Sequence, residues 1–222
     1  MIYIMRKENY YNQKDITMGK LIQLSLFSLA VGISSFAAEP QADRKIDIKG
    51  EPEKIEAVEI VLGNNTPLVA FAAKELVRFF SEGAGLKPEI VEAPSGKGLS
   101  IVLGSSPLAE KEGLRPELLP SEGFRILRKG NTVFILGMDD LHQTPEQNSW
   151  MQIYRRSTLT GVYDFLERFA GVRFYFPGPH GTIIPKRNSF FLPTVIDILE
   201  RPDMELRVNY MQPGKGYGFA GE

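Results

Sequence analysis

Residues 158–186 read TLTGVYDFLERFAGVRFYFPGPHGTIIPK, and this stretch decides the fold. Leu159, Val162, Leu166 and Phe169 recur at helical spacing and form one apolar face. Phe165 and Tyr163 widen that face, while Asp164, Glu167 and Arg168 lie on the other side. Ser157 or Thr158 stands where a side-chain oxygen accepts from the first free N–H groups of the helix. Gly171 ends the helix, since glycine takes the left-handed conformation without steric cost. Gly161 inside it costs ~1 kcal/mol against alanine, which a close approach of another backbone would explain. Phe165, Leu166 and Phe169 are expected in the core. Residues 172–176 are β-branched and aromatic and predict a buried strand. Pro177-Gly178 and Pro179 then turn the chain, and Ile183-Ile184 runs to Pro185. The unit is helix, strand, turn, strand.

Outward from this unit the chain alternates. Residues 56–62 predict a strand and Gly63-Asn64-Asn65 a turn. Thr66-Pro67 is an N-cap followed by proline at the first helical position. The helix at 67–81 buries Leu68, Phe71, Ala72, Leu76 and Phe79, with Lys74, Glu75 and Arg78 outside. Further strands are predicted at 88–92 and 99–103. Gly104-Ser105-Ser106-Pro107 opens a short helix; such a turn can hold an anion, but it lacks the phosphate-loop lysine and the GxGxxG spacing and reads as a plain strand-to-helix turn. Residues 123–128 and 132–136, around Lys129-Gly130-Asn131, predict a hairpin. Residues 141–156 show no period, and a connection this long is usually functional or mobile. A last strand is predicted at 190–198. The alternation predicts an α/β (α+β) sandwich, a mixed central sheet with the helices at 67–81 and 158–170 packed on it.

Residues 1–37 read as an upstream extension and a signal peptide. Lys20 supplies the positive region, Leu21 to Ile33 the apolar core, and Ser35-Phe36-Ala37 the small-x-small pattern before a cut at Ala38. The apolar run is too short and too broken for a membrane span. The expectation is an exported protein, periplasmic or extracellular, with no membrane contact after cleavage. Residues 38–200 form one domain. Residues 201–222 end in a glycine-rich run and read as a truncated linker toward a missing downstream domain. Across 222 residues, 43% are hydrophobic, enough for a substantial core. Twenty-six basic residues balance 27 acidic ones, which argues against a nucleic-acid partner. With no cysteine there is neither a disulfide nor a thiolate metal site.

Asp139 and Asp140 follow a predicted strand. Two adjacent carboxylates suit acid–base work or a metal; they equally suit a solvated turn in which one side chain caps the loop. Neighbours on an extended chain point to opposite sides. They do not make the facing pair, ~5–9 Å apart, that glycoside hydrolysis needs. His142 and His180 have no metal-binding spacing, so neither a metal nor a cofactor is expected. Trp150 and Tyr154 lie in the long connection. Their rings either stack on the apolar face of a sugar or fold back as a lid over the core. Trp150, Tyr154, Asp139 and Asp140 are the candidate carbohydrate-binding residues, and no residue is assigned a catalytic role.

The stretch quoted first resembles the N-terminal domain of bacterial α-glucuronidases and related large secreted proteins. There a G-x-Y-x-F-L-E helix precedes a G-V-R-(aromatic) strand and a P-G-x-x-G-x-x-x-P turn. Here these are Gly161 to Glu167, Gly171 to Phe174 and Pro177 to Pro185. Ala72 to Leu76, Ile101 to Gly104 and Leu136 to Asp140 fall at the expected places before them, and Arg201-Pro202 and Arg207 resemble the exit toward the next domain. The likeness spans residues 56–207 and is specific only over 158–185. It implies an α/β sandwich, also found in front of hexosaminidase barrels. It further implies a role as the accessory domain of a secreted, polysaccharide-degrading glycoside hydrolase. In that family the acid and base lie in a downstream barrel, so no catalytic residue carries over. The implied partners are a polysaccharide or oligosaccharide and that barrel. A free-standing carbohydrate-binding or structural module is the alternative.

Overall fold

The computed structural model describes residues 44–145, 155–176 and 178–201. Strand β1 (Lys45–Ile55) and β2 (Val58–Leu62) precede helix α1 (Pro67–Phe79). β3 (Glu89–Val91), β4 (Leu99–Leu103) and the short α2 (Pro107–Lys111) follow. β5 (Phe124–Lys129) and β6 (Thr132–Gly137) form the hairpin, and α3 (Ser157–Phe165) opens the last unit. β7 (Arg173–Phe174), β8 (Thr182–Ile183) and β9 (Phe190–Glu200) complete it.

Seven strands form one mixed sheet in the order β1-β9-β5-β6-β4-β2-β3. β3, β2, β4 and β6 run parallel; β5 pairs antiparallel with β6 and β9, and β1 antiparallel with β9. The pleat sends alternate residues to opposite faces. Ile60, Ile101, Ile126, Ile135 and Ile198 belong to the cluster that α1 and α3 cover. Val61, Val102, Leu127, Phe134 and Leu136 form a second cluster with Ala109 of α2 and Leu114. Every residue of β4 is buried, as expected of a parallel strand covered on both sides. The expected α/β sandwich is therefore the fold. The hairpin expected at 123–136 is β5–β6, and the inner residues Phe124, Ile126, Val133 and Ile135 all join the helix-side core.

Local signals explain α1. Thr66 accepts from the Val69 N–H, and Pro67 follows it. Both long helices then widen into a π turn, at Phe80–Ala84 and Leu166–Ala170, and stop at a left-handed glycine, Gly85 (φ 66°) and Gly171 (φ 72°). Gly161 sits where α3 crosses the sheet. A Cβ there would lie 2.9 Å from Ile135 Cγ2 and 3.1 Å from Phe124 Cδ2, so side chains of β6 and β5, rather than a backbone, require the glycine. Phe165 and Leu166 are fully buried, while Phe169 is only partly so.

Two expectations need correction. Residues 172–176 do not form one buried strand and do not enter the central sheet. Arg173-Phe174 pairs with Thr182-Ile183 in a separate two-stranded ribbon, and Tyr175 and Phe176 are 69% and 58% exposed. Ser157 and Thr158 lie inside α3 rather than capping it. Ser106 caps α2 by accepting from the Ala109 N–H at 3.1 Å, so the turn at 104–107 has the plain structural role expected of it.

Candidate functional site

Asp139 and Asp140 leave β6 and fasten the chain that re-enters at Arg155. Asp139 Oδ1 accepts from the Thr158 N–H at 2.9 Å, capping α3 from a residue 19 positions away. Thr158 Oγ1 in turn accepts from the Gly137 N–H at 3.1 Å. Asp140 Oδ2 accepts from the Arg155 N–H at 2.9 Å, and the Asp140 N–H donates to the Arg155 carbonyl at 2.8 Å. Both carboxylates thus bind backbone. Trp150 and Tyr154 lie outside the described residues. His142 and His180 are exposed.

Burial pushes the Asp139 carboxyl up to about 6, against the hydrogen bonds from Thr158 and with a smaller push from the Asp140 charge. A carboxyl whose folded pKa is raised favours the fold most when protonated. Its contribution is complete at low pH and is lost as pH rises through about 6. Wild-type stability should therefore rise by about 1–2 kcal/mol between about pH 7.5 and about pH 4.5 from this group. Asn at 139 keeps an acceptor for Thr158 without the charge, so Asp139→Asn should flatten that slope. Urea denaturation at a series of pH values checks this; an unchanged slope would contradict it.

Glu59 is a buried carboxylate. Ser95 gives it both N–H (2.8 Å) and hydroxyl (2.6 Å), and Ser100 Oγ lies 2.5 Å away. Burial pushes its pKa up, but these hydrogen bonds outweigh burial and hold it below the usual range. It is an ionised clamp on the 95–100 segment and is not poised to donate a proton.

A cleft of about 590 Å³ opens where α1 and α3 meet the β7–β8 ribbon. Phe174, Tyr175, Phe176 and Pro179 supply its apolar walls, and Glu75, Arg78 and Tyr163 its polar groups. Arg78 donates from Nε and Nη2 to the two oxygens of Glu75, at 3.1 and 2.9 Å. The Tyr163 hydroxyl donates to Glu75 Oε2 at 2.9 Å. Burial, with the Glu75 carboxylate beside it, pushes the Tyr163 phenol well above its ordinary value, so it stays a donor. The Phe174 ring packs edge-on against Tyr163 (5.0 Å) and Phe79 (5.5 Å), and Arg78 lies 4.1 Å over the Phe79 ring.

The wall is held in place from several sides. The Tyr175 N–H donates to the Gly181 carbonyl at 2.8 Å, and Thr182 Oγ1 to the Gly178 carbonyl at 3.1 Å. Any Cβ on Gly181 would run into the Phe176 carbonyl. Beyond the ribbon, the Arg187 N–H and Lys186 Nζ donate to the Gly83 and Glu82 carbonyls at the end of α1, at 2.8 and 2.6 Å.

Sequence reasoning placed Glu75 and Arg78 on a solvated helix face and Tyr163 on an apolar one. The available signal was the hydroxyl of Tyr163 on a face meant for the core, since a buried hydroxyl needs a partner. Among the described residues, no group of three His, Asp or Glu side chains stands ready to hold a metal.

No protein-family model matches the chain, and no curated protein matches it. Among solved structures it is similar to a family GH115 4-O-methyl-α-glucuronidase with specificity for decorated arabinogalactans. That match is 16% identical with a TM-score of 0.43, over 73% of this chain and 19% of that one. It is similar to a β-hexosaminidase of Streptomyces plicatus, 14% identical with a TM-score of 0.44, over 73% of this chain and 26% of that one. It is also similar to a family GH138 enzyme targeting pectin rhamnogalacturonan II, 20% identical with a TM-score of 0.33, over 50% and 13%. The chain spans at most 26% of the length of these three proteins. These neighbours are glycoside hydrolases, at identities and scores that carry no argument about what this chain does.

Proposed function

We propose that the chain is the accessory α/β domain of a secreted glycoside-hydrolase system acting on polysaccharide, and that it is not catalytic by itself. The observation that carries the reading is the cleft between α1, α3 and the β7–β8 ribbon. It offers aromatic walls beside hydrogen-bonding groups, the composition of a site that holds a flat, hydroxylated ligand. Hydrolysis of a glycoside needs two carboxyl groups opposed across one sugar, one of them kept protonated. The described residues lining the cleft include a single carboxylate, Glu75, and Arg78 and Tyr163 already bind it. The catalytic partner in this reading is a downstream barrel, as the sequence resemblance implies, and the substrate is a polysaccharide or oligosaccharide.

A free-standing carbohydrate-binding module is the second reading, favoured by a cleft formed wholly within this chain. The gene downstream of Glu222 separates the two. An in-frame barrel supports the accessory domain, and a stop codon there supports the module. Export is part of either reading. N-terminal sequencing of protein recovered from its native host should begin at or near Ala38; a cytosolic chain starting at Met18 would contradict export.

A further inference from the structure

We propose that the cleft between α1, α3 and the β7–β8 ribbon binds a single neutral pyranose, with its C–H face on the Tyr175 and Phe176 rings and a vicinal diol on Glu75 and Arg78. The assignment rests on the carbohydrate reading above and adds the site and the ligand's charge.

Two large rings at the rim are wet, and the turn carrying them is tied down by the Tyr175–Gly181 and Thr182–Gly178 bonds. A backbone fixed in advance loses little freedom when a ligand covers the rings it carries. Water wets them poorly, whereas the C–H face of a sugar covers them at little cost.

The polar end gives the complementary half. An ionised carboxylate has about four lone-pair positions. Arg78 Nε takes one on Oε1, and Arg78 Nη2 and Tyr163 take two on Oε2. One acceptor position on Oε1 remains. Arg78 has five N–H donors, of which Glu75 takes one on Nε and one on Nη2; the second Nη2 proton and both Nη1 protons bond to no acceptor among the described residues. An ion pair that keeps both a free acceptor and free donors matches two adjacent hydroxyls, each of which can give or take a hydrogen bond. Glu75 and Arg78 also cancel each other's charge. Arg156 and Glu82 act on the same cluster with opposite signs, so a uronate or a sugar phosphate would find no net positive charge and would set its anion near the Glu75 carboxylate. The charge balance therefore selects neutral sugars over acidic ones.

The test uses the full chain, titrated with neutral methyl glycosides (gluco, galacto, manno and xylo) and with methyl glucuronide, by saturation-transfer NMR and side-chain chemical shifts. The expected result is saturable binding of at least one neutral glycoside, several-fold tighter than the glucuronide. Phe176→Ala and Tyr175→Ala alter exposed rings and should leave the fold intact, and each should weaken binding about 3- to 10-fold. Glu75→Gln, checked for folding by circular dichroism, should weaken it comparably. A preference for the glucuronide would overturn the assignment. Sugar binding that survives both ring variants would also overturn it, while leaving the carbohydrate reading intact. Absence of binding to every glycoside would overturn the cleft assignment alone, since the accessory-domain reading is tested separately by the downstream gene and by turnover.

Discussion

Phe165→Ala is expected to destabilise the fold by about 3–5 kcal/mol, the range for emptying a fully buried aromatic site. Phe165 has no exposed surface and stands where α3 gives way to its π turn. Its ring lies 5.1 Å from that of Phe169 and 6.4 Å from that of Phe190 in β9. It therefore ties the helix layer to the strand that links β1 to the rest of the sheet. Neighbours in a packed core relax only partly into a void. The loss would be a large share of the ~5–15 kcal/mol that holds a typical domain together. Phe169→Ala, at a partly buried position, should lose clearly less. Urea denaturation followed by far-UV circular dichroism decides; a loss under ~1 kcal/mol for Phe165→Ala would mean that this face is not the core.

Arg128→Met should be the most damaging change outside the apolar core, at about 3 kcal/mol. Pro52 and Pro193 stand opposite each other in the β1–β9 pair, at a register shift. Proline has no N–H, so the ladder is interrupted there. The β5–β9 pairing reaches only Leu127↔Asp197, so no partner strand serves the carbonyls of residues 192 and 193 from that side. Arg128 replaces it. Nη1 donates to the Leu192 and Pro193 carbonyls at 3.0 and 2.7 Å, Nε to the Gly130 carbonyl at 3.1 Å, and Nη2 pairs with Glu53. Methionine fills the same space but leaves buried carbonyls unsatisfied, at ~1–3 kcal/mol each. Lysine should not rescue, because a compact ammonium cannot reproduce the planar fork. Equal stability of Arg128→Met and wild type in urea would show that water or a backbone shift serves these carbonyls instead.

What was legible in the sequence was what is local. Thr66-Pro67 and the spacing of Leu68, Ala72, Leu76 and Phe79 specify α1 within one segment, and Lys129-Gly130-Asn131 specifies the hairpin. The sheet's mixed character follows from the same alternation. What was not legible depends on distant pairs. The α3 cap comes from Asp139, 19 residues upstream. The ribbon leaves the main sheet because Val172 still belongs to the core while the residues after Phe174 turn outward with Gly181. The cleft depends on Tyr163 meeting Glu75 across 88 residues, and no periodicity records such a meeting. Asp139 and Asp140 were visible as adjacent carboxylates, with one side chain capping the loop as one reading; that both accept from backbone, and from Arg155 and Thr158, appears only with the fold.

The central claim is that this chain serves carbohydrate chemistry without performing it, and turnover tests that most directly. The purified chain is assayed with chromogenic uronides and hexosaminides beside Asp139→Asn and Asp140→Asn. No hydrolysis above the buffer rate is expected from any of the three proteins. Turnover by the wild-type chain that disappears in either variant would contradict the account.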